Sequence, residues 1–137
     1  MFAAVVAGIV KPAIADEIPA CSAPAGVEVR PFPMDLPTGL QQALSDKFGE
    51  IVPPGGKFNA TDAFGPGRPT QQRRAIFVWQ RGQKWIVASE HGGLGYNDPV
   101  WAFEVSSDGS SAKLMVERIA FPLTVCETAT ALVLEAE

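Results

Sequence analysis

Apolar residues recur along this chain in two periods, and the change of period divides it. Between residues 36 and 48, Leu36, Leu40, Leu44 and Phe48 return every fourth position, with Gln41, Gln42, Ser45 and Asp46 between them. That spacing predicts a helix with one buried face. Asp35 is placed to cap it, Pro37 suits its first turn, and Gly49 ends it.

From Ala75 onward the pattern is that of strands. Ala75–Arg81 and Lys84–Glu90 flank Gly82-Gln83, and glycine at the first loop position suits a tight type II′ hairpin. The implied register sets Trp79 opposite Ile86 and Val78 opposite Val87. One face then carries Phe77, Trp79 and Ile86, and the other Ile76, Val78, Trp85 and Val87. A hairpin apolar on both faces needs cover on both, with a helix on at least one. A second hairpin turns at Asp108-Gly109, a preferred two-residue type I′ loop. Its register pairs Phe103 with Leu114 and Trp101 with Val116 on the core side, and Glu104 with Lys113 on the other, an opposite-charge pair.

The remaining segments are less regular. Pro19, Pro24, Pro31 and Pro33 keep residues 16–34 extended, with Val27-Glu28-Val29 as a short edge strand. Residues 50–73 form a long loop broken by Pro53-Pro54-Gly55-Gly56 and Gly65-Pro66-Gly67, which Phe58 and Phe64 are expected to pin to the body. Asn59-Ala60-Thr61 within it matches a glycosylation sequon. Near the C-terminus, Pro122 fits a helix start and Cys126, Ala129 and Val133 share a helical face, while Thr124, Val125, Thr128 and Thr130 favour a strand; a helix is expected. These elements define an α+β fold: an antiparallel meander of four to five strands with one or two helices packed on it.

The N-terminus changes the picture from fold to compartment. Phe2–Val10 is an unbroken apolar run, and Ala13-Ile14-Ala15 has the small-x-small form of a signal-peptidase site, although no basic residue precedes the run. The run is shorter than the roughly 20 residues that span a bilayer. Residues 1–15 therefore read as a signal peptide and 16–137 as one globular domain, without a transmembrane segment, in the periplasm or secreted. An alternative takes Ile18-Pro19-Ala20-Cys21 as a lipoprotein box that anchors the chain through Cys21; Asp16 and Glu17 interrupt the apolar region it requires. Cys21 and Cys126 are the only two cysteines, so export predicts one disulfide between them.

The net charge of −4 becomes −5 when Lys11 leaves with the leader. An acidic domain without a basic stripe is a poor partner for nucleic acid, and Arg68, Arg73, Arg74 and Arg81 read as a solvated face.

Candidate chemistry gathers between the hairpins, in Glu90-His91-Gly92-Gly93-Leu94-Gly95-Tyr96-Asn97-Asp98-Pro99, which holds the only histidine and the only tyrosine. Its glycines let backbone N–H groups converge as in an anion-binding nest. Tyr96 and Trp101 offer aromatic surface; His91, Asn97 and Asp98 offer hydrogen bonds, the composition of a recognition loop. The expected function is a non-catalytic exported domain that binds a partner protein or small ligand of the cell envelope through residues 91–98. One form of it is an inhibitor inserting this loop into a foreign enzyme. One alternative is a hydrolase with His91 as general base; another is an envelope structural protein without a discrete site. Neither a Gly-x-Ser-x-Gly elbow nor a second histidine is present, so no catalytic residue, metal or cofactor is assigned. Glu90 and His91 should point to opposite sides of their strand, which separates them as joint ligands.

Overall fold

A computed structural model describes residues 20–61 and 63–136. The proposed signal peptide lies outside them. The order of elements is β1 (Glu28–Arg30), α1 (Thr38–Phe48), β2 (Arg73–Arg81), β3 (Lys84–His91), β4 (Asp98–Val105), β5 (Ala112–Ala120) and α2 (Val125–Leu134). The five strands form one antiparallel sheet in sequence order. The class is α+β, with one helix on each face of the sheet.

Two cores follow from the sheet's double-sided apolar pattern. Leu36, Leu40 and Leu44 cover Val78, Trp85, Val87, Trp101 and Phe103 on one face. On the other, Val125, Ala129, Leu132 and Val133 cover Trp79, Ile86, Ala88, Val100 and Ala102. The second helix is thus the cover that the apolar hairpin required. It starts at Val125, three residues after Pro122, and its last carbonyls are capped from the first hairpin. Arg81 Nη1 donates to Val133 O at 3.1 Å, and Lys84 Nζ to Leu132 O at 3.1 Å and Glu135 O at 2.6 Å.

The first hairpin has the expected pairs, Trp79 with Ile86 and Val78 with Val87. A bulge between Ala75 and Phe77 corrects one face assignment, because it brings Ile76 round to pack with Phe77 on the α2 side. The second hairpin also keeps its register at the tip, with Phe103 opposite Leu114 and Glu104 opposite Lys113. Its loop is wider than a two-residue turn. Gly109 N–H bonds Ser106 O at 2.9 Å, and Asp108 Oδ1 accepts from Ser106 Oγ, Ser110 N and Ser110 Oγ. Those donors hold the Asp108 carboxyl at about 2, the Ser110 backbone N–H foremost. Beyond the tip, an irregularity at Ala102/Phe103 shifts the pairing by one, so Trp101 faces Glu117 and Ala102 faces Val116. Val116 therefore packs on the α2 side, away from Trp101, Phe103 and Leu114.

Asp35 does not cap α1. Residues 31–36 fold back on themselves through Asp35 N–H to Pro31 O and Leu36 N–H to Pro33 O, and the helix begins after Pro37 without a side-chain cap. The Asp108 loop substitutes, since Gly109 O accepts from Gly39 N–H at 2.9 Å. A Cβ on Gly39 would stand 2.4 Å from Ser111 N, so only glycine permits this approach.

Neither sheet edge is a long flat template. β1 is three residues long, with an Arg30–Glu28 ion pair, and β5 is bulged and exposes Lys113, Glu117 and Arg118. The Cys21–Cys126 disulfide is present, with Cα atoms 5.3 Å apart, and ties the N-terminal segment to the first turn of α2.

Candidate functional site

The loop between β3 and β4 is shorter than its sequence suggests. His91 and Asn97 bond each other's backbones, N–H to O at 2.8 Å and 3.2 Å, so the pairing runs to the last residue of β3 and starts one residue before β4. Only residues 92–96 project. Gly92 N–H bonds Gln72 O at 2.7 Å and Gly93 N–H bonds Ala60 O at 3.1 Å, fastening the loop to the long 50–73 segment. A Cβ on Gly92 would lie 2.1 Å from Asn59 O. Gly93 and Gly95 take φ of 106° and 78°, which only glycine adopts cheaply, and between them Leu94 stands 92% exposed.

The expected site residues divide between the two faces. Period-two alternation sends Glu90 towards α2's face and His91 towards α1's, as anticipated. On α2's face Glu90, only 2% exposed, receives Arg74 Nε at 2.6 Å and Nη2 at 3.1 Å. Arg74 also donates Nη1 to Gly56 O at 2.8 Å and lies over Phe58, 4.2 Å from the ring centroid. This group anchors the start of the long loop, and Phe58 does pin it. Phe64 does not, being 62% exposed. Tyr96, half-buried, donates its hydroxyl to Glu90 Oε1 at 3.0 Å. Burial first, then the neighbouring carboxyls Asp98 and Glu90, push its phenol far up, so it stays a donor.

Asp98 lies on the same face and is 0% exposed. Tyr96 approaches it, but neither carboxyl oxygen completes a hydrogen bond among the described residues. Burial pushes its acidity to about 6; Tyr96 acts against the shift and Glu90 adds to it.

On α1's face, His91 stands across from Arg73. Burial, then the positive charge of Arg73, hold its imidazole below the usual value, with Glu117 acting the other way. Trp101, fully buried, donates Nε1–H to Glu117 Oε2 at 2.5 Å. Asn97 spends its side-chain amide on Gly95 O at 2.9 Å. Of the five residues proposed from sequence, Asp98 and Trp101 are thus inaccessible and can only position others. His91, Tyr96 and Asn97 retain partial exposure.

Sequence reasoning passed over Leu94 as a contact residue and misplaced Arg74, which is not on a solvated face but largely buried in an ion pair with Glu90. Leu94 was visible as one apolar residue among glycines, and Glu90 as a charge in phase with Ile86 and Ala88. The sequon is also reassigned. Asn59, 4% exposed, donates Nδ2–H to Ala63 O at 2.6 Å and accepts from Thr61 N and Oγ1, so in the folded chain it is a turn residue.

Among the described residues no helix is long and apolar enough to cross a membrane, and no group of three metal-ligating side chains occurs. No protein family, curated protein or solved structure matches the chain.

Proposed function

We propose that this chain is an exported, non-catalytic recognition domain whose 92–96 loop inserts Leu94 into an apolar pocket of a partner protein. The observation that carries this reading is the combination of a nearly fully exposed leucine with a loop base fastened on both sides, by His91, Gly92 and Gly93 before the tip and Asn97 after it. A preorganised loop loses little conformational entropy when it binds. The apolar side chain at its tip gains about 1.5–3 kcal/mol when buried, roughly ten- to hundredfold in affinity. Partly exposed His91 and Asn97 flank the tip with polar groups. The disulfide favours an oxidising compartment, periplasmic or extracellular.

Among the described residues, the hydrolase alternative lacks a nucleophile placed beside His91. Ser89, two residues from His91 on the same face, is buried and gives its hydroxyl to Pro99 O at 3.0 Å. Across from His91 stands Arg73, a cation that cannot orient an imidazole as a carboxylate does.

The test is capture from cell-envelope extract by wild type, Leu94→Asp and, as a surface control, Glu104→Ala. Leu94→Asp should lose the captured partner with its thermal unfolding unchanged, and the control should keep it. A partner held equally by Leu94→Asp would remove the loop from the interface.

A further inference from the structure

Beneath the loop, three side chains share one proton problem. Glu90 is neutralised by Arg74 and takes the Tyr96 hydroxyl at 3.0 Å. Asp98, the first residue of β4, is fully buried beside them with both oxygens short of a donor. An ionised Asp98 places a second negative charge next to Glu90 without a cation of its own. A protonated Asp98 removes that charge and becomes a donor, with the neighbouring Tyr96 Oη as its acceptor. The chain then runs Asp98 to Tyr96 to Glu90 to Arg74.

Among the described residues, the other neighbours do not supply the missing compensation. Across β4 from Asp98 stands Ala120 of β5, and α2 contributes Val125 and Ala129 to the adjoining core. Arg118, opposite Val100, is committed to Glu135 at 2.6 Å. His91 and Arg73 lie on the other face of the sheet. The carboxyl's position, raised by burial to about 6, agrees with this geometry.

We propose that Asp98, Tyr96 and Glu90 form a proton-operated latch that fixes the Leu94 loop under mildly acidic conditions and loosens it as Asp98 ionises. Its purpose rests on the recognition reading above, as control of when the loop is presented rigidly. The mechanism is local. Ionised Asp98 must acquire water, and the adjoining loop, which ends one residue before it, is the segment that must move to admit it. Protonated Asp98 holds Tyr96, and Tyr96 holds the loop's C-terminal end.

Hydrogen exchange of the full chain tests the latch without any partner, read as protection factors for the His91 and Asn97 amides between pH 4.5 and 7.5. In wild type these should fall at least tenfold as pH rises, with the midpoint at which NMR shows the Asp98 carboxyl carbon titrating. Asp98→Asn, which stays neutral and can donate, should keep high protection throughout. Tyr96→Phe should be poorly protected at every pH, and His91→Gln should retain the wild-type drop. Protection independent of pH in wild type, a midpoint different from that of Asp98, or loss of the drop in His91→Gln would each overturn the proposal. Should Asp98→Asn fail to fold, the comparison of wild-type midpoints decides alone. Failure here leaves capture through Leu94 untouched, and failed capture leaves the latch untouched.

Discussion

Phe48, the last residue of α1, lies face to face on Trp101 of β4, with ring centroids 3.8 Å apart and planes 11° from parallel. The Arg73 guanidinium lies beside the stack, 5.1 Å from the Phe48 centroid and 5.7 Å from that of Trp101. A helix end, a central strand and the strand that leads out of the long loop are thereby joined at one point. Phe48→Ala removes the stack and opens space over Trp101. It should cost about 3–5 kcal/mol, measured by denaturant unfolding. A loss below 1 kcal/mol would mean that α1 closes over the gap.

The second hairpin separates a core residue from a surface one at neighbouring positions. Phe103 is fully buried against α1's leucines, whereas Glu104 is exposed opposite Lys113. Phe103→Ala should cost about 3–5 kcal/mol and Glu104→Ala about 0–1 kcal/mol. Similar losses from the two would place the strand's faces the other way round.

Much of the fold was legible because local signals agreed. Leu40 and Leu44 at helical spacing, Trp79 opposite Ile86 around Gly82-Gln83, and Phe103 opposite Leu114 around Asp108-Gly109 each combine period with a turn. Periodicity failed at the bulges, where one extra residue at Ile76 or Met115 inverts the faces beyond it without leaving a compositional mark. Asp35 failed as a cap because the cap's work is done by Gly109 O, which lies seventy residues in sequence from the Gly39 N–H it accepts. The site was half legible. A loop rich in Gly, Tyr and Asn was conspicuous, yet the burial of Asp98 and Trp101 depends on α1 and α2 closing over the sheet, a tertiary fact. The Arg74–Glu90 pair became readable only once the hairpin's register was fixed.

The disulfide closes a loop of 105 residues, from Cys21 to Cys126. Loop-closure entropy for about 100 residues is worth up to ~4.7 kcal/mol, and measured effects commonly run about 2–4 kcal/mol. The double variant Cys21→Ser/Cys126→Ser should therefore lose about 2–4 kcal/mol in chemical unfolding, with the sheet intact by circular dichroism. Intact mass after alkylation of the wild type, isolated without reductant, should show no free thiol. Two alkylated cysteines would exclude the bridge in the cell.

The acid–base behaviour of Asp98 should be visible in stability as well as in the loop. Its carboxyl titrates near 3.8 when unfolded and near 6 when folded, because burial disfavours the charged form. The folded state thus binds the proton more tightly. The corresponding stability is fully present below pH 3.8, is lost as pH rises through about 6, and does not return above it. That shift corresponds to at most about 3 kcal/mol, and to less where water screens the charge. His91 acts in the opposite direction. Its folded value lies below 6.5, so its contribution is present above that pH and falls as the solution becomes acidic. Measuring in the His91→Gln background removes this overlap. In that background Asp98→Asn should stabilise the protein by about 1–3 kcal/mol at pH 7.5 and change it little at pH 4, flattening the profile between. The expected gain at pH 7.5 stays below the full shift because the new amide must find its own partners beside Tyr96 and Glu90. Equal effects of Asp98→Asn at both pH values would show that Asp98 carries no extra proton in the folded state. The unpaired oxygens would then have to be satisfied by ordered water.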